Sequence, residues 1–353
     1  MSNPVIGFSI GDINGIGLEV TLKALNEPMI LSKITPIIFA SDKVVAFHKN
    51  ILTRGELVLH SLNPGEKPHE GMINVMNVWP ETVTITLGEM SETGGKYATL
   101  SLQSAVDALK SKEIDALVTA PINKKAMEMA GFEHPGHTEF LTTAFGKNSL
   151  MILATDSLRV GIVTGHIPIS EVAGKISTDL IIRKAQIFLD SLKIDFGIEK
   201  PRLAVLGLNP HAGDNGLFGQ EEKDIIIPAI MSLKSKGHII QGPFPADGFF
   251  GAGTWKHFDG VLAMYHDQGL IPFKTLAFGS GVNFTAGLPV IRTSPDHGTG
   301  FDIAGKGVAK ADSLRSSIFL ALDIYRQREE YHYYQKNKLR KNVRTEEPNV
   351  SDD

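Results

Sequence analysis

No cysteine occurs among the 353 residues, which excludes disulfides and thiolate metal sites and leaves His, Asp and Glu to hold any metal. No apolar run approaches the roughly 20 residues needed to span a bilayer. The opening Met1-Ser2-Asn3-Pro4 lacks a basic stretch followed by an apolar core, so no secretory leader is expected and a reducing cytoplasm is the expected location. Excess positive charge is missing too. The formal net charge of −4 disfavours nucleic acid or an anionic membrane as a main partner. Sharp local motifs are also absent: there is no H-x-x-x-H or H-E-x-x-H spacing for zinc and no G-x-G-x-x-G after a strand. Gly300, Gly305 and Lys306 nearly complete a P-loop, but Gly307 stands where Ser or Thr would hold magnesium.

What is present is an ordinary globular composition, 42% hydrophobic and 21% charged, with enough residues for a large two-lobed fold. Val5 to Ile10, Pro36 to Ala40 and Ile114 to Thr119 read as buried strands. Ala98, Leu102, Ala105, Val106 and Leu109 give one apolar stripe at helical spacing, and the spacing predicts a helix starting near Lys96. Leu18 to Leu25, Thr178 to Leu192, Glu221 to Lys234 and Ala311 to Arg326 are further predicted helices. Helix alternating with strand over short connections predicts a mostly parallel sheet covered by helices. The stretch from His60 to Val83 is mixed, with turn signals at Asn63-Pro64-Gly65 and Glu70-Gly71. From Gln327 to Asp353 the sequence turns strongly polar, as expected for the solvated end of a helix followed by a frayed tail; Tyr331, Tyr333 and Tyr334 offer a way to dock it instead.

Three histidines each follow an apolar run: His166 after Leu158–Thr164, His211 after Leu203–Leu208, and His266 after Val261–Met264. Open α/β sheets bind ligands beyond the carboxyl ends of their strands, so these rings either cap their own strands or meet around one cation. His48, His60, His69, His238, His257 and His332 lack that context and read as surface or internally satisfied residues. Asp214, Asp247 and Asp267 lie in turns or beside these histidines; such carboxylates orient an imidazole, transfer protons or simply stabilise turns. Lys274 and Arg292 flank Asn283 in a segment with few other charges, and each needs either an internal carboxylate or an anionic ligand. The glycines of 11–17 and of 296–307 allow backbone N–H groups to approach a phosphate, although a strand-to-helix turn explains the first set equally well.

Taken in order, Gly136-His137-Thr138-Glu139, Gly165-His166, Leu208-Asn209-Pro210-His211-Ala212-Gly213, Pro245-Ala246-Asp247, Tyr265-His266-Asp267-Gln268-Gly269, Asp296-His297-Gly298-Thr299-Gly300 and Asp302-Ile303-Ala304-Gly305-Lys306-Gly307 resemble the signatures of the 4-hydroxythreonine-4-phosphate dehydrogenase family of pyridoxal phosphate biosynthesis. The His-Gly and Asp-Ile-Ala-Gly-Lys-Gly pieces also resemble the adenosine-binding loop of isopropylmalate and isocitrate dehydrogenases. The likeness extends to about Arg326. It implies a two-lobed α/β fold of the isocitrate dehydrogenase kind, with residues 1–135 plus 285–326 on the cofactor side and 136–284 on the metal and dimer side, followed by the tail 327–353. It implies NAD, with NADP as the other possibility, and a divalent ion such as zinc, magnesium or cobalt on His166, His211 and His266, one of them from the other subunit of a homodimer. His137, Thr138, Lys274, Asn283 and Arg292 would hold a phosphorylated substrate. Asp247 and Asp267 would stand beside the reacting carbon, and His297, Gly298, Gly300, Asp302 and Lys306 would receive the cofactor. The implied reaction is oxidation and decarboxylation of 4-phosphooxy-L-threonine; the nearest rival is a paralogue acting on threonate or erythronate 4-phosphate, and a more distant one is a non-catalytic binding protein on the same scaffold. Ile13-Asn14 replaces the family's usual Pro-Ala, so the first loop is expected to differ in its turn geometry.

Overall fold

The computed structural model describes residues 3–52, 57–63, 65–146, 148–277 and 279–336. Among these residues twelve strands form one sheet: β1 Val5–Ser9, β2 Thr35–Ala40, β3 Leu59–Leu62, β4 Ile73–Asn77, β5 Ala116–Thr119, β6 Leu150–Ala154, β7 Arg159–Thr164, β8 Arg202–Leu206, β9 Ile239–Phe244, β10 Gly260–Tyr265, β11 Val282–Ala286 and β12 Ile291–Pro295. Their order is β3-β4-β2-β1-β5-β12-β11-β6-β7-β10-β8-β9. Pairing is parallel on both flanks. It turns antiparallel only at the centre, where β11 opposes both β12 and β6, and β6 opposes β7. The first flank, β3 to β12, therefore runs opposite to the second, β7 to β9. This is the expected α/β architecture, a large, mostly parallel sheet clad by helices.

Alternation along the strands assigns the two faces. Ile6, Phe8, Ile38 and Val118 pack into one core cluster, while Ile37, Phe39 and Leu117 pack into another on the opposite face. On the second flank Leu203, Val205 and Leu262 separate in the same way from Ala204, Leu206 and Val261. Both faces are dry, as parallel strands require.

The helix read from Lys96 begins four residues earlier, at Glu92, because Ser91 caps it by accepting from the Gly94 N–H at 3.0 Å. The segment read as a helix from Glu221 opens as one π-turn over Glu222–Ile226 before Ile227–Ser235 continues as α. The last helix spans Asp312–Lys336 and so outruns the expected end at Arg326; Tyr333 and Tyr334 stay exposed on it, and the tail beyond 336 lies outside the described residues, as does Pro64. The first loop has a specific reason for Ile13-Asn14. Ile13 is buried in the core, and Asn14 donates to Glu89 O and Ser91 Oγ while accepting from Thr86 N, so it laces three segments together.

Candidate active site

Adjacent strands β7, β10 and β8 run parallel, so the loops bearing His166, His266 and His211 leave the sheet side by side. Each exit is fastened by a polar side chain. Thr164 Oγ1 donates to Met264 O at 2.7 Å, tying β7 to β10. Gln268 accepts from Met264 N and donates to Gly207 O, tying β10 to the end of β8. Glu222, only 3% exposed, accepts from Leu208 N and Asn209 N at 2.7 Å each and from Asn209 Nδ2 at 2.9 Å. Its carboxylate thus fills the bowl of the loop that presents His211. That loop continues as a left-handed turn, with positive φ at every residue from His211 to Asn215.

His166 and His266 come together, with ring centroids 5.3 Å apart. Nδ1 of His266 shares a 2.7 Å hydrogen bond with Asp267 Oδ1, leaving Nε2 as its free nitrogen. Burial, followed by the Lys124 charge, holds His166 below its usual pKa and favours the neutral, ligating form. His211 stands one strand further along, against Phe218. Within one chain the three histidines do not bring their donors within 4.8 Å of one another; among the described residues only His60, Glu66 and His69 do so, far away at β3.

A cavity of about 340 Å³ opens over the central antiparallel strands, beside His166 and His266. Its floor is a cross-strand row: Ser294 pairs with Asn283, which pairs with Leu153, so the three side chains share a face. Arg292 and Thr285 share it by alternation. The walls include His137, Thr138, Lys274, His297 and Gly298, all expected from the sequence, together with Thr119, Lys124, Glu139 and Asp296, which were not. Lys124 follows directly on the Thr119–Pro121 strand exit, and Glu139 sits inside the Gly136-His137-Thr138-Glu139 motif; in both cases position in a recognised pattern was the available signal. Asp247, Asp267 and His211 do not line this cavity. Gly300, Asp302 and Lys306 lie in the adjoining turn, where the Lys306 ammonium donates to Asp302 O. That turn rests on the first glycine loop through Ile16 N donating to Thr299 O at 2.9 Å, and its far end is moored by Lys23 and Glu19 at Ala309.

The electrostatics of the cavity are lopsided. Arg292 is 2% exposed, yet its partners are hydroxyls only: Nε and Nη2 donate to Thr119 Oγ1 at 3.0 and 2.7 Å, and Nη1 donates to Thr285 Oγ1 at 3.2 Å. No carboxylate pairs with it among the described residues. Burial lowers its pKa to about 10, with Glu139 partly opposing the shift. Buried His137 Nε2, Asn283 Oδ1 and His297 Nε2 have no hydrogen-bond partner among the described residues. Among the described residues no side chain caps the helix His137–Phe145, which leaves N–H groups of its first turn open at the cavity wall. Of the two alternatives left open for Lys274, the structure shows the internal carboxylate, since it pairs with Asp296 at 3.1 Å. The whole arrangement suits a small polyanion.

One pH effect follows. Burial holds His137 well below its ordinary pKa, and it lowers His48, whose Nε2 donates to Ile13 O. Below pH 6.5 the unfolded chain takes up protons that the folded chain refuses. Stability should therefore fall as pH drops from 7 to 5, by up to about 1.4 kcal/mol per unit for each such histidine. Asp12, raised by burial, works in the opposite direction at the acid end. The comparison that isolates His137 is urea unfolding of the parent and His137→Gln: the variant should show the shallower slope, and equal slopes would contradict the assignment.

Comparison with known proteins bears on this geometry. Residues 32–321 match the family described as pyridoxal phosphate biosynthetic protein PdxA. The chain belongs to that family. A 4-hydroxythreonine-4-phosphate dehydrogenase from Bacteroides thetaiotaomicron is 48% identical over 338 residues, 95% of this chain and 93% of the relative. The crystal structure of the Klebsiella pneumoniae 4-hydroxythreonine-4-phosphate dehydrogenase superposes with a TM-score of 0.79 at 37% identity, covering 92% of this chain and 98% of that one. Isocitrate dehydrogenase from Methylococcus capsulatus, at 10% identity and a TM-score of 0.50 over 94% and 89% of the two chains, shares the fold alone. The PdxA-family chain is thus an oxidoreductase on an isocitrate dehydrogenase-like scaffold, and none of its described helices is long and apolar enough to cross a membrane.

Proposed function

We propose that this chain oxidises and decarboxylates 4-phosphooxy-L-threonine to 3-amino-2-oxopropyl phosphate with NAD, with NADP as the less favoured cofactor, in the cytoplasm. The observation that carries this reading is the buried Arg292 guanidinium, paired with hydroxyls and with no carboxylate among the described residues, in a cavity lined also by His137, His166, His266 and the start of the glycine-rich loop. The substrate phosphate would lie against Arg292, the orphan His137 Nε2 and the free N–H groups of the helix at His137, with Thr138 and Asn283 alongside. Lys274 joins by exchanging Asp296 for substrate. His166 and His266, with His211 from the other subunit of a homodimer, would hold a zinc, magnesium or cobalt ion; an all-imidazole set suits several such ions, and the shifted, neutral His166 fits that role. His297, Gly298, Gly300, Asp302 and Lys306 would receive the adenosine side of the cofactor. Held there, a nicotinamide cofactor would supply the hydride acceptor and a divalent ion the Lewis acidity that oxidation and decarboxylation need. Asp267 orients His266 through Nδ1, and Asp247 would stand beside the reacting carbon to move a proton. The reversal of strand direction at the centre supports one lobe of 1–135 plus 285–326 and another of 136–284.

A second reading, oxidation of threonate or erythronate 4-phosphate, draws on a 38% identical Cutibacterium acnes protein provisionally named a D-threonate 4-phosphate dehydrogenase. NADH formation on the two substrate types decides between them. The aminated substrate should give the higher kcat/KM, and a preference for the sugar acids would overturn the first reading. Absence of NADH from every phosphorylated hydroxy acid would overturn both.

A further inference from the structure

At the edge of the sheet, away from the cavity over its central strands, β3 runs parallel to β4, although only residues 63–72 separate them. A parallel crossover ordinarily takes a dozen or more residues, usually with a helix, so this connection needs internal fastening. Asn74, fully buried, supplies part of it: its Nδ2 donates to Pro36 O and His69 O, and its Oδ1 accepts from His69 N. Glu66 supplies the rest. One carboxylate oxygen, Oε2, accepts from Asn63 N at 3.0 Å and Asn63 Nδ2 at 2.8 Å. The other, Oε1, is left facing two imidazoles, with His60 Nε2 at 3.0 Å and His69 Nε2 at 3.3 Å. The rings stand 4.1 Å apart, tilted by 46°.

We propose that His60, Glu66 and His69 form a second divalent-cation site of the zinc class, remote from the active site, which clips the β3–β4 connection to the sheet edge. Two imidazole nitrogens and one carboxylate oxygen match the donor set of known three-ligand zinc sites. The spacing matches as well. Tetrahedral bonds of about 2.0–2.1 Å place neighbouring ligand atoms roughly 3.3 Å apart, close to the two separations seen here, and all three donor atoms lie within 4.8 Å of one another. Asn63 performs the outer-shell duty of orienting the carboxylate. His69 is about half exposed, giving an ion a path in and water the remaining coordination position.

The test removes the active-site histidines first, so that it stands apart from the proposed dehydrogenase chemistry. The full-length chain carrying His166→Ala and His266→Ala is titrated with zinc chloride by calorimetry. One zinc per chain should still bind and should raise the thermal midpoint. Adding Glu66→Gln, or separately His69→Ala, should weaken that binding at least tenfold and abolish the thermal shift. In the parent background, Glu66→Gln should leave NADH formation unchanged, which separates this site from the cavity. Failure of the doubly substituted chain to bind zinc, or binding indifferent to both Glu66→Gln and His69→Ala, overturns the proposal.

Discussion

Replacing Arg292 by methionine should lower kcat/KM for the phosphorylated substrate by about 30- to 5,000-fold, the equivalent of roughly 2–5 kcal/mol for stranding a buried anion without its partner. The free protein should tell the opposite story. Arg292 is desolvated, and among the described residues its fork meets only the Thr119 and Thr285 hydroxyls. Removing a buried charge with no ionic partner, in favour of an apolar side chain of similar length, is often neutral or stabilising. Arg292→Met should therefore match or exceed the parent in urea midpoint without ligand. Inorganic phosphate should stabilise the parent and leave the variant unmoved, because only a binding site transmits ligand concentration into stability. Arg292→Lys should not rescue activity to more than about a tenth, since a point ammonium cannot span two hydroxyls and a phosphate as a planar fork does. A variant with unchanged KM, or one still stabilised by phosphate, would place the anion elsewhere.

Glu222→Gln should cost about 2–4 kcal/mol of folding stability, because one oxygen loses two charge-assisted bonds to Leu208 N and Asn209 N, and an amide there turns a donor toward donors. The damage is directed at His211. From His211 to Asn215 the φ angles are 54°, 51°, 80°, 40° and 57°, a left-handed run whose non-glycine members cost roughly 1–2 kcal/mol each, least for Asp and Asn. Such a turn persists only while its base is held, and Glu222 is what holds it. Substrate KM should change little, since Glu222 is not part of the phosphate cavity. Affinity for the proposed ion should fall about 10- to 100-fold, the usual loss when support behind a ligand is removed. A stability loss without any change in ion affinity would reduce Glu222 to a structural residue.

Much of the fold was legible because parallel strands are buried on both faces and show as apolar runs, while the helix at 92–111 shows its 3.6-residue stripe. The boundaries were less so: Ser91 moved one start upstream by capping, and Asp312–Lys336 ran past its change in composition because helix, once nucleated by packing, tolerates polar residues. In the site, strand-end position found His166 and His266, and isolation among apolar residues found Arg292. Glu222 gave no sign of its role and Gln268 showed only as a member of its motif, because both roles exist only once distant loops are folded against them. His60 and His69 read as surface or internally satisfied residues, and what joins them, Glu66, gave no spacing signature. The carboxylate allowed for Lys274 could not be named in advance, because Asp296 lies on a different strand exit and meets it only in the folded chain.

The order of β5, β12 and β11 in the sheet has a consequence for how the molecule is made. The N-terminal flank ends at β5 near residue 119, but its neighbour β12 is not synthesised until residue 295, after every strand of the other flank. A nascent chain released as far as the middle would carry an open strand edge with no partner of its own, and a cut between the flanks would leave neither piece with a finished core. Such long-range closure slows folding and makes the chain cooperative as a whole. The same late return seats Arg292, the residue that closes the sheet, on the floor of the cavity, so a ligand-ready site and a completed sheet arise in one event.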